Sequence, residues 1–380
     1  MLNLHADNWF PEIQDEAVQF FNSQQEALKY IEQYDKIPKQ IYEHFSNKGW
    51  FGILTEKRYG GIGLDEYAYA GLLRKIASFS SGLALNYAVH QVCLLKGIQY
   101  FGSNQLKEEV LPKASSGDKL FALCITEPGA GSDLSGIKTF AQRIEGGYSI
   151  NGTKTLIVNA EYADYLLVAA IEDLVNPKKT MSLFIVENSP SNELYFEKIN
   201  SLGNKGAALR KVHFRNVYVP EHHVLGNKGE GFKLLLNQIE LDRIGGVVVA
   251  LGIAEAAFQT ALEYSKERKQ FGKRIADFQG ISFMLAEMAS EIKVIDSLAN
   301  SMLYEYKQGI QNSSTYSIGK LIAAKSVEKV TSMAIEICGG IGYTTKMPVE
   351  RYYRDSKSVA LGGGTIQIMK NIIGSQLLKS

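Results

Sequence analysis

The stretch Thr139–Ala160, TFAQRIEGGYSINGTKTLIVNA, decides the fold class. Its β-branched and aromatic residues come in short runs, separated by Gly and Asn. That texture belongs to strands, with EGGY and INGTK read as hairpin turns. Similar segments flank it: FALCITE before it, then YLLVAAIE, TMSLFIVE and KVHFRNVYVP after it. Together they predict an all-β region of roughly a hundred residues. On both sides the period changes to that of helices. Upstream, EALKYIEQYDKIPKQIYEHFSNKGWFGI and EYAYAGLLRKIASFSSGLALNYAVHQVCLLKGIQYFG space apolar residues by three and four, with YGGIG as a glycine turn between them. Downstream, VVVALGIAEAAFQTALEYSKERKQF, QGISFMLAEMASEIKVIDSLANSMLYEYKQG and YSIGKLIAAKSVEKVTSMAIEICGG are long amphipathic runs. The last is stopped at Gly339–Gly340. TIQIMKNIIGSQLL adds a final helix, enough for a four-helix bundle. The expected architecture is α+β: a helical domain over 1–118, a β domain over 119–226, and a C-terminal helical bundle over 227–380.

The chain has 380 residues, 45% hydrophobic and 21% charged, with a formal net charge of +1. That balance gives no electrostatic footprint for nucleic acid or an anionic membrane. Cys93, Cys124 and Cys338 are far apart and lack metal-ligand spacing, so a reduced, cytosolic protein without a metal site is expected. The opening MLNLHADNWFPEIQDEA is neither basic nor continuously apolar, unlike a signal peptide. No apolar run approaches the length of a membrane span, and the expectation is a soluble cytoplasmic protein.

TEPGAGSD at Thr126–Asp133, ERKQFGKRIADFQGISFMLAEM and EICGGIGYTTKMPVERYYRD resemble motifs of the acyl-CoA dehydrogenase superfamily of flavoproteins. GWFGILTEKRYGGIGL and GAALRKVHFRNVYVPEHHVLGNKGEGF also match in order, so the resemblance covers nearly the whole chain. It implies a helical domain, a β-barrel and a C-terminal four-helix bundle, with FAD as cofactor and assembly as a homodimer or homotetramer. By composition alone, EPGAGSD also suits a surface turn. The resemblance implies instead that its small residues admit a flat cofactor, with Thr126 and Ser132 at the flavin and Ser132 also facing a thioester tail. It further implies that Arg268 reaches the FAD pyrophosphate of a neighbouring subunit, where a guanidinium fork suits phosphate, with Gln270 and Phe271 beside the cofactor. A basic helix terminus complementing the dipole is the other reading of Arg268. Gln279, Gly339, Gly340, Thr365 and Gln367 likewise match cofactor-facing positions.

Dehydrogenation of an acyl thioester takes the α-proton to a base and the β-hydride to flavin N5. The proton is not acidic in water, so the carbonyl must sit in hydrogen bonds that tighten as an enolate forms, with a carboxylate within about 3 Å. Many members of the family supply it from a YEGT element, which here reads GGGT with Gly363 at the acidic position. In the isovaleryl and long-chain branches the corresponding element is also glycine-rich. There the Glu comes from a helix of the C-terminal domain, just before an Arg. The matching segment, LLNQIELDRIGG, places Asp242 there, followed by Arg243. The resemblance therefore implies Asp242 as the base, with Ser132, Arg243 and Gly363 at the substrate. A solvated Asp–Arg pair on a helix surface is the alternative. Aspartate is one methylene short, which withdraws the carboxylate by about 1–1.5 Å. A misplacement of that size costs on the order of a hundredfold. Glu240 turns to another helix face and is the weaker candidate.

Three more positions depart from the family pattern. Leu156 and Val158 stand where a Trp and a Thr contact the isoalloxazine, and Glu336 replaces a frequent Gln near the cofactor phosphates. Val158 lacks the threonine hydroxyl, a bond worth about 0.5–1.5 kcal/mol. His90, in NYAVHQVC, resembles part of a substrate-lining segment and equally suits a buried core position. The resulting expectation is an FAD-dependent dehydrogenase of an acyl-CoA or a carrier-protein-bound acyl group, biosynthetic relatives included. Its electrons would pass to an electron-transfer flavoprotein or to O2. The alternatives are a flavin oxidase or monooxygenase on the same fold, and a non-catalytic binding subunit.

Overall fold

The computed structural model describes residues 9–378 apart from Gln311, and the side chains of Cys93 and Leu94 are likewise outside the description. The first eight residues of the opening segment and the Cys93 thiol therefore lie outside the described residues.

The N-terminal third is helical: α1 (Pro11–Asn22), α2 (Gln25–Tyr34), α3 (Lys39–Asn47), α4 (Glu66–Phe79), α5 (Ser81–Ala88), α6 (Gly97–Phe101) and α7 (Asn104–Ser116). A π-wound stretch, Val89–Lys96, joins α5 to α6. α4 starts where the Asp65 side chain accepts the amides of Tyr67 and Ala68, satisfying two donors that a helix start leaves free. It buries nearly its whole surface, including Leu72, Leu73 and Ile76.

The middle region is one sheet of β1 (Phe121–Cys124), β2 (Phe140–Ile144), β3 (Gly147–Ile157), β4 (Tyr165–Ile171), β5 (Met181–Glu187), β6 (Leu194–Lys198), β7 (Arg210–Pro220) and β8 (Val224–Leu225). The strands run in the order β6-β7-β3-β2-β4-β5-β8, with β1 beside β4. β4 and β5 are buried on both faces, which explains why their sequences are continuous apolar runs. Leu166, Val168, Ala170, Phe184 and Val186 point into a core belonging to the sheet itself. The alternate residues Leu167, Ala169, Ile171, Leu183 and Ile185 join the core of the helices.

The EGGY turn is where the sequence places it: Ile144 pairs with Gly147, and Gly146 takes φ 75°. INGTK is not a turn. β3 runs straight through Ile150–Lys154 and pairs with β7, with a register shift between Ile150 and Gly152. The glycine serves a close approach instead, because a Cβ on Gly152 would meet Thr139 Oγ1 at 2.5 Å.

A short helix α8 (Pro177–Thr180) interrupts the sheet region; the C-terminal bundle is α9 (Gly231–Glu267), α10 (Gln279–Lys307), α11 (Ser313–Cys338), α12 (Val349–Ser356) and α13 (Ile366–Leu377). α9 joins LLNQIELDRIGG and the following apolar run into one helix of 37 residues. The expectation that no apolar run reaches the length of a membrane span is therefore corrected, since α9 passes that test of length and composition. Its apolar window is 67% buried inside the protein, as befits a core helix. Gly252 lets α9 touch α4, since a Cβ there would lie 2.3 Å from Arg74 O. Arg74 Nε donates to Glu255 Oε2 of α9 at 2.8 Å and fastens the same crossing.

Candidate functional site

α9 carries Asp242 and Arg243 under the loop that leads into α13. In that loop Gly363 and Gly364 are left-handed, at φ 61° and 94°. A Cβ on Gly363 would lie 2.8 Å from Asp242 Oδ2 and 3.2 Å from Lys320 Nζ. The Asp242 carboxylate thus fills space that any side chain at 363 would need.

Lys320, from α11, is the residue that sequence reasoning missed. It is 2% exposed. Its ammonium donates to the carbonyls of Gly362 and Gly364, the latter at 2.6 Å, and so ties down both sides of Gly363. The available signal was a lysine on an otherwise apolar helical stripe, with Tyr316, Ala323 and Val327 buried on the same side.

The electrostatics follow from burial. Desolvation holds the Asp242 carboxyl above its ordinary value, opposed by the positive charges of Lys320 and Arg243. Protein surrounds the group, although one side of the residue stays partly open. Burial pulls Lys320 down to about 8, against the pull of Asp242 and with help from Arg243. Arg243 is buried and its Nε has no hydrogen-bond partner among the described residues, so the solvated surface pair is not what forms. Glu240 faces elsewhere. It lines a cavity of about 360 Å³ with Lys96, Gln238, Tyr306 and Tyr316. His90 is a core residue, its Nε2 3.0 Å from Ala114 O and its pKa pushed by burial down to about 4.

The loop from Thr126 is anchored from below. Glu127 is buried and accepts the amides of Lys138 and Thr139 at 2.8 and 2.9 Å. It also accepts from the fully buried Lys154 at 2.8 Å, and Lys154 donates to Ile125 O at 3.0 Å. Thr126 O receives the Thr155 amide at 2.8 Å, which brings half-buried Thr126 beside Leu156 and Val158. Ser132 is exposed, and a Cβ on Gly129 or Gly131 would meet nothing within 4 Å.

Arg268 caps α9, and Gln270 and Phe271 form a small hairpin with β9 (Lys269–Gln270) and β10 (Lys273–Arg274). Gln279 opens α10 and is exposed, as are Gly339, Gly340 and Gln367. Exposed Glu336 accepts from Ser332 Oγ at 3.3 Å. Thr365 caps α13 through the Ile368 amide. Among the described residues, no hydrogen bond, ion pair or ring contact ties Arg268, Gln270 or Phe271 to Thr126, Leu156 or Asp242 within one chain.

Two of these candidate cofactor positions combine backbone strain with exposure. Leu156 (φ 58°) and Phe271 (φ 52°) hold left-handed backbone while 54% and 93% exposed. Strain combined with exposed apolar area is characteristic of a ligand clamp.

Known proteins resemble this chain along its whole length. Residues 11–118, 122–217 and 229–378 match the N-terminal, middle and C-terminal domains of acyl-CoA dehydrogenase. An acyl-CoA dehydrogenase of Bacillus subtilis is 34% identical over 93% of this chain and 93% of its own length. The caffeyl-CoA reductase–Etf complex subunit CarC of Acetobacterium woodii is 32% identical, again over 93% of each chain. Among solved structures, butyryl-CoA dehydrogenase from Megasphaera elsdenii superposes with a TM-score of 0.91 at 31% identity, covering 96% of this chain and 98% of that one. The domain order, the sheet between two helical regions and these matches along the whole chain agree: it belongs to the acyl-CoA dehydrogenase family of oxidoreductases.

Proposed function

We propose that this chain oxidises the Cα–Cβ bond of an acyl thioester with Asp242 as the base. The observation that carries the reading is the overlap at Gly363, where the Asp242 carboxylate lies 2.8 Å from the position of a Cβ. The short side chain is met by a loop of small residues drawn toward it, which offsets the missing methylene. Thr126, Ser132, Leu156, Val158, Gly339, Gly340, Thr365 and Gln367 would hold FAD from one chain. Arg268, Gln270, Phe271 and Gln279 would hold it from a neighbouring subunit, with Glu336 near the phosphates. Bound there, FAD supplies a two-electron acceptor for the β-hydride.

Asp242 receives the α-proton, and its raised pKa makes it a stronger base than an ordinary carboxylate. Arg243 and Lys320 hold positive charge beside the carbon acid, where negative charge develops. The unpaired Arg243 Nε offers one donor to a substrate oxygen. Ser132 is placed for the thioester tail, whether CoA or a carrier protein supplies it. An electron-transfer flavoprotein is the acceptor that the Acetobacterium relative's name suggests.

The purified protein is expected to be yellow and to bleach anaerobically when a matching acyl-CoA or acyl-carrier thioester is added. A flavin that stays oxidised across thioesters of varied length and headgroup would refute the reading. Peroxide released with substrate in air would identify O2 as the acceptor.

The pH profile gives a second check. Ionisation of Asp242 is required, so kcat/KM rises with pH through a value above that of an ordinary aspartate. It falls again as Lys320 loses its proton at about 8. Lys320→Met keeps the length of the side chain but not the charge. It is expected to lower kcat about tenfold, move the acid limb to higher pH and remove the alkaline limb. A purely structural lysine would leave both limbs in place.

A further inference from the structure

We infer that Glu109, His222 and His223 form a binding site for a borderline divalent cation of the zinc class, at the junction of the N-terminal helices and the sheet. Glu109 lies on α7, and the two histidines lie in the turn between β7 and β8. Their ligating atoms all fall within 4.8 Å of one another. Glu109 Oε2 is 3.2 Å from His222 Nε2, and Glu109 Oε1 is 3.1 Å from His223 Nε2. Ligands around tetrahedral zinc, with metal–ligand bonds of about 2.0–2.2 Å, lie about 3.3 Å apart. The donors are thus already close to coordination spacing.

The His223 ring is also oriented from behind. It is buried, and its Nδ1 lies 3.1 Å from Ile185 O. A carbonyl only accepts, so Nδ1 carries the hydrogen and donates it. Nε2 is left facing a carboxylate oxygen of Glu109, a contact that a bound cation would bridge. An imidazole locked through its second nitrogen by a carbonyl is the usual support of a metal ligand. His222 stands 4.6 Å away, ring centre to ring centre, with its plane turned by 76°. Two imidazoles and a carboxylate favour zinc over calcium or magnesium, which prefer oxygen donors. Three protein ligands leave a position for water. Glu109 and His223 are separated by 114 residues, so no spacing motif announces the set. A bound ion would cross-link α7 to the corner of the sheet, on atoms that take no part in the chemistry proposed above.

The test uses the full chain, freed of any histidine tag, stripped with chelator and titrated with ZnCl2 by calorimetry. The expected result is one zinc per chain with a micromolar or tighter Kd, together with a rise in Tm at saturating zinc. His222→Ala and Glu109→Gln should each weaken binding at least tenfold, whereas His213→Ala, at another surface histidine, should not. X-ray absorption at the zinc edge of the unmutated protein should show two imidazoles among the ligands, which tests the site without any variant. No saturable zinc binding, binding untouched by His222→Ala, or fewer than two imidazoles at the metal would each overturn the proposal. In the first case the contacts are simple hydrogen bonds between Glu109 and the two imidazoles.

Discussion

Asp242→Asn is expected to lower the rate of anaerobic flavin reduction by acyl thioester about 10²–10⁴-fold, the usual contribution of a positioned general base. The amide keeps the shape of the side chain and removes the proton acceptor. Asp242 lies on the thioester side of the proposed site, so the FAD content should remain that of the unmutated protein. A second effect runs in the opposite direction. Burial raises the folded-state pKa of Asp242 above its ordinary value. A raised carboxyl contributes stability that is present below the unfolded-state pKa and lost as pH climbs through the folded-state pKa. At neutral pH the ionised side chain therefore burdens the fold, and the neutral amide relieves it. Asp242→Asn should raise Tm at pH 7 and show no such gain at pH 3. Thioester turnover within tenfold of normal would remove Asp242 from the chemistry. A lowered Tm with no FAD would show the variant to be misfolded rather than chemically silent.

Gly363→Ala should cost about a hundredfold in kcat, although only a methyl group is added. The residue sits at φ 61°, where a side chain is strained, and the methyl would come 2.8 Å from Asp242 Oδ2 and 3.2 Å from Lys320 Nζ. Either the carboxylate turns away or the loop lifts, and a displacement of about 1 Å in a reacting group costs on this order. Gly362→Ala is the matched control. Its added carbon would meet only Ser358 O, at 3.6 Å, an ordinary contact. Single-turnover bleaching of both variants separates the cases. Equal rates for the two would mean that the contact at 363 is irrelevant to the reaction.

Much of this was legible in the residues, and the limits have physical causes. Short β-rich runs between two helical periods gave the order of the regions, and the EGGY turn was read correctly because two-residue hairpins have strong local chemistry. INGTK carries the same turn-forming residues but is a strand, because Gly152 is needed where β3 passes Thr139. Local preference lost to packing there. The proposal that the base stands at 242 and not at 363 came through resemblance, since both segments match family elements. Lys320 was not, because its partners are 42 and 44 residues away and it sits among core residues. The Glu127–Lys154 anchor was hidden for the same reason, its halves lying 27 residues apart. Sequence order alone does not carry such tertiary pairings.

The two-faced burial of β4 and β5 has a consequence for dissection. Leu167, Ala169, Ile171, Leu183 and Ile185 share their packing with the helices. A fragment cut at 119 and 226 would present that row to water as a contiguous sticky wall, the kind of surface that drives self-association. The middle region has its own inner core yet is not a module that can be excised. Its neighbours act as a permanent chaperone, and calorimetry is expected to show a single melting transition for the three regions.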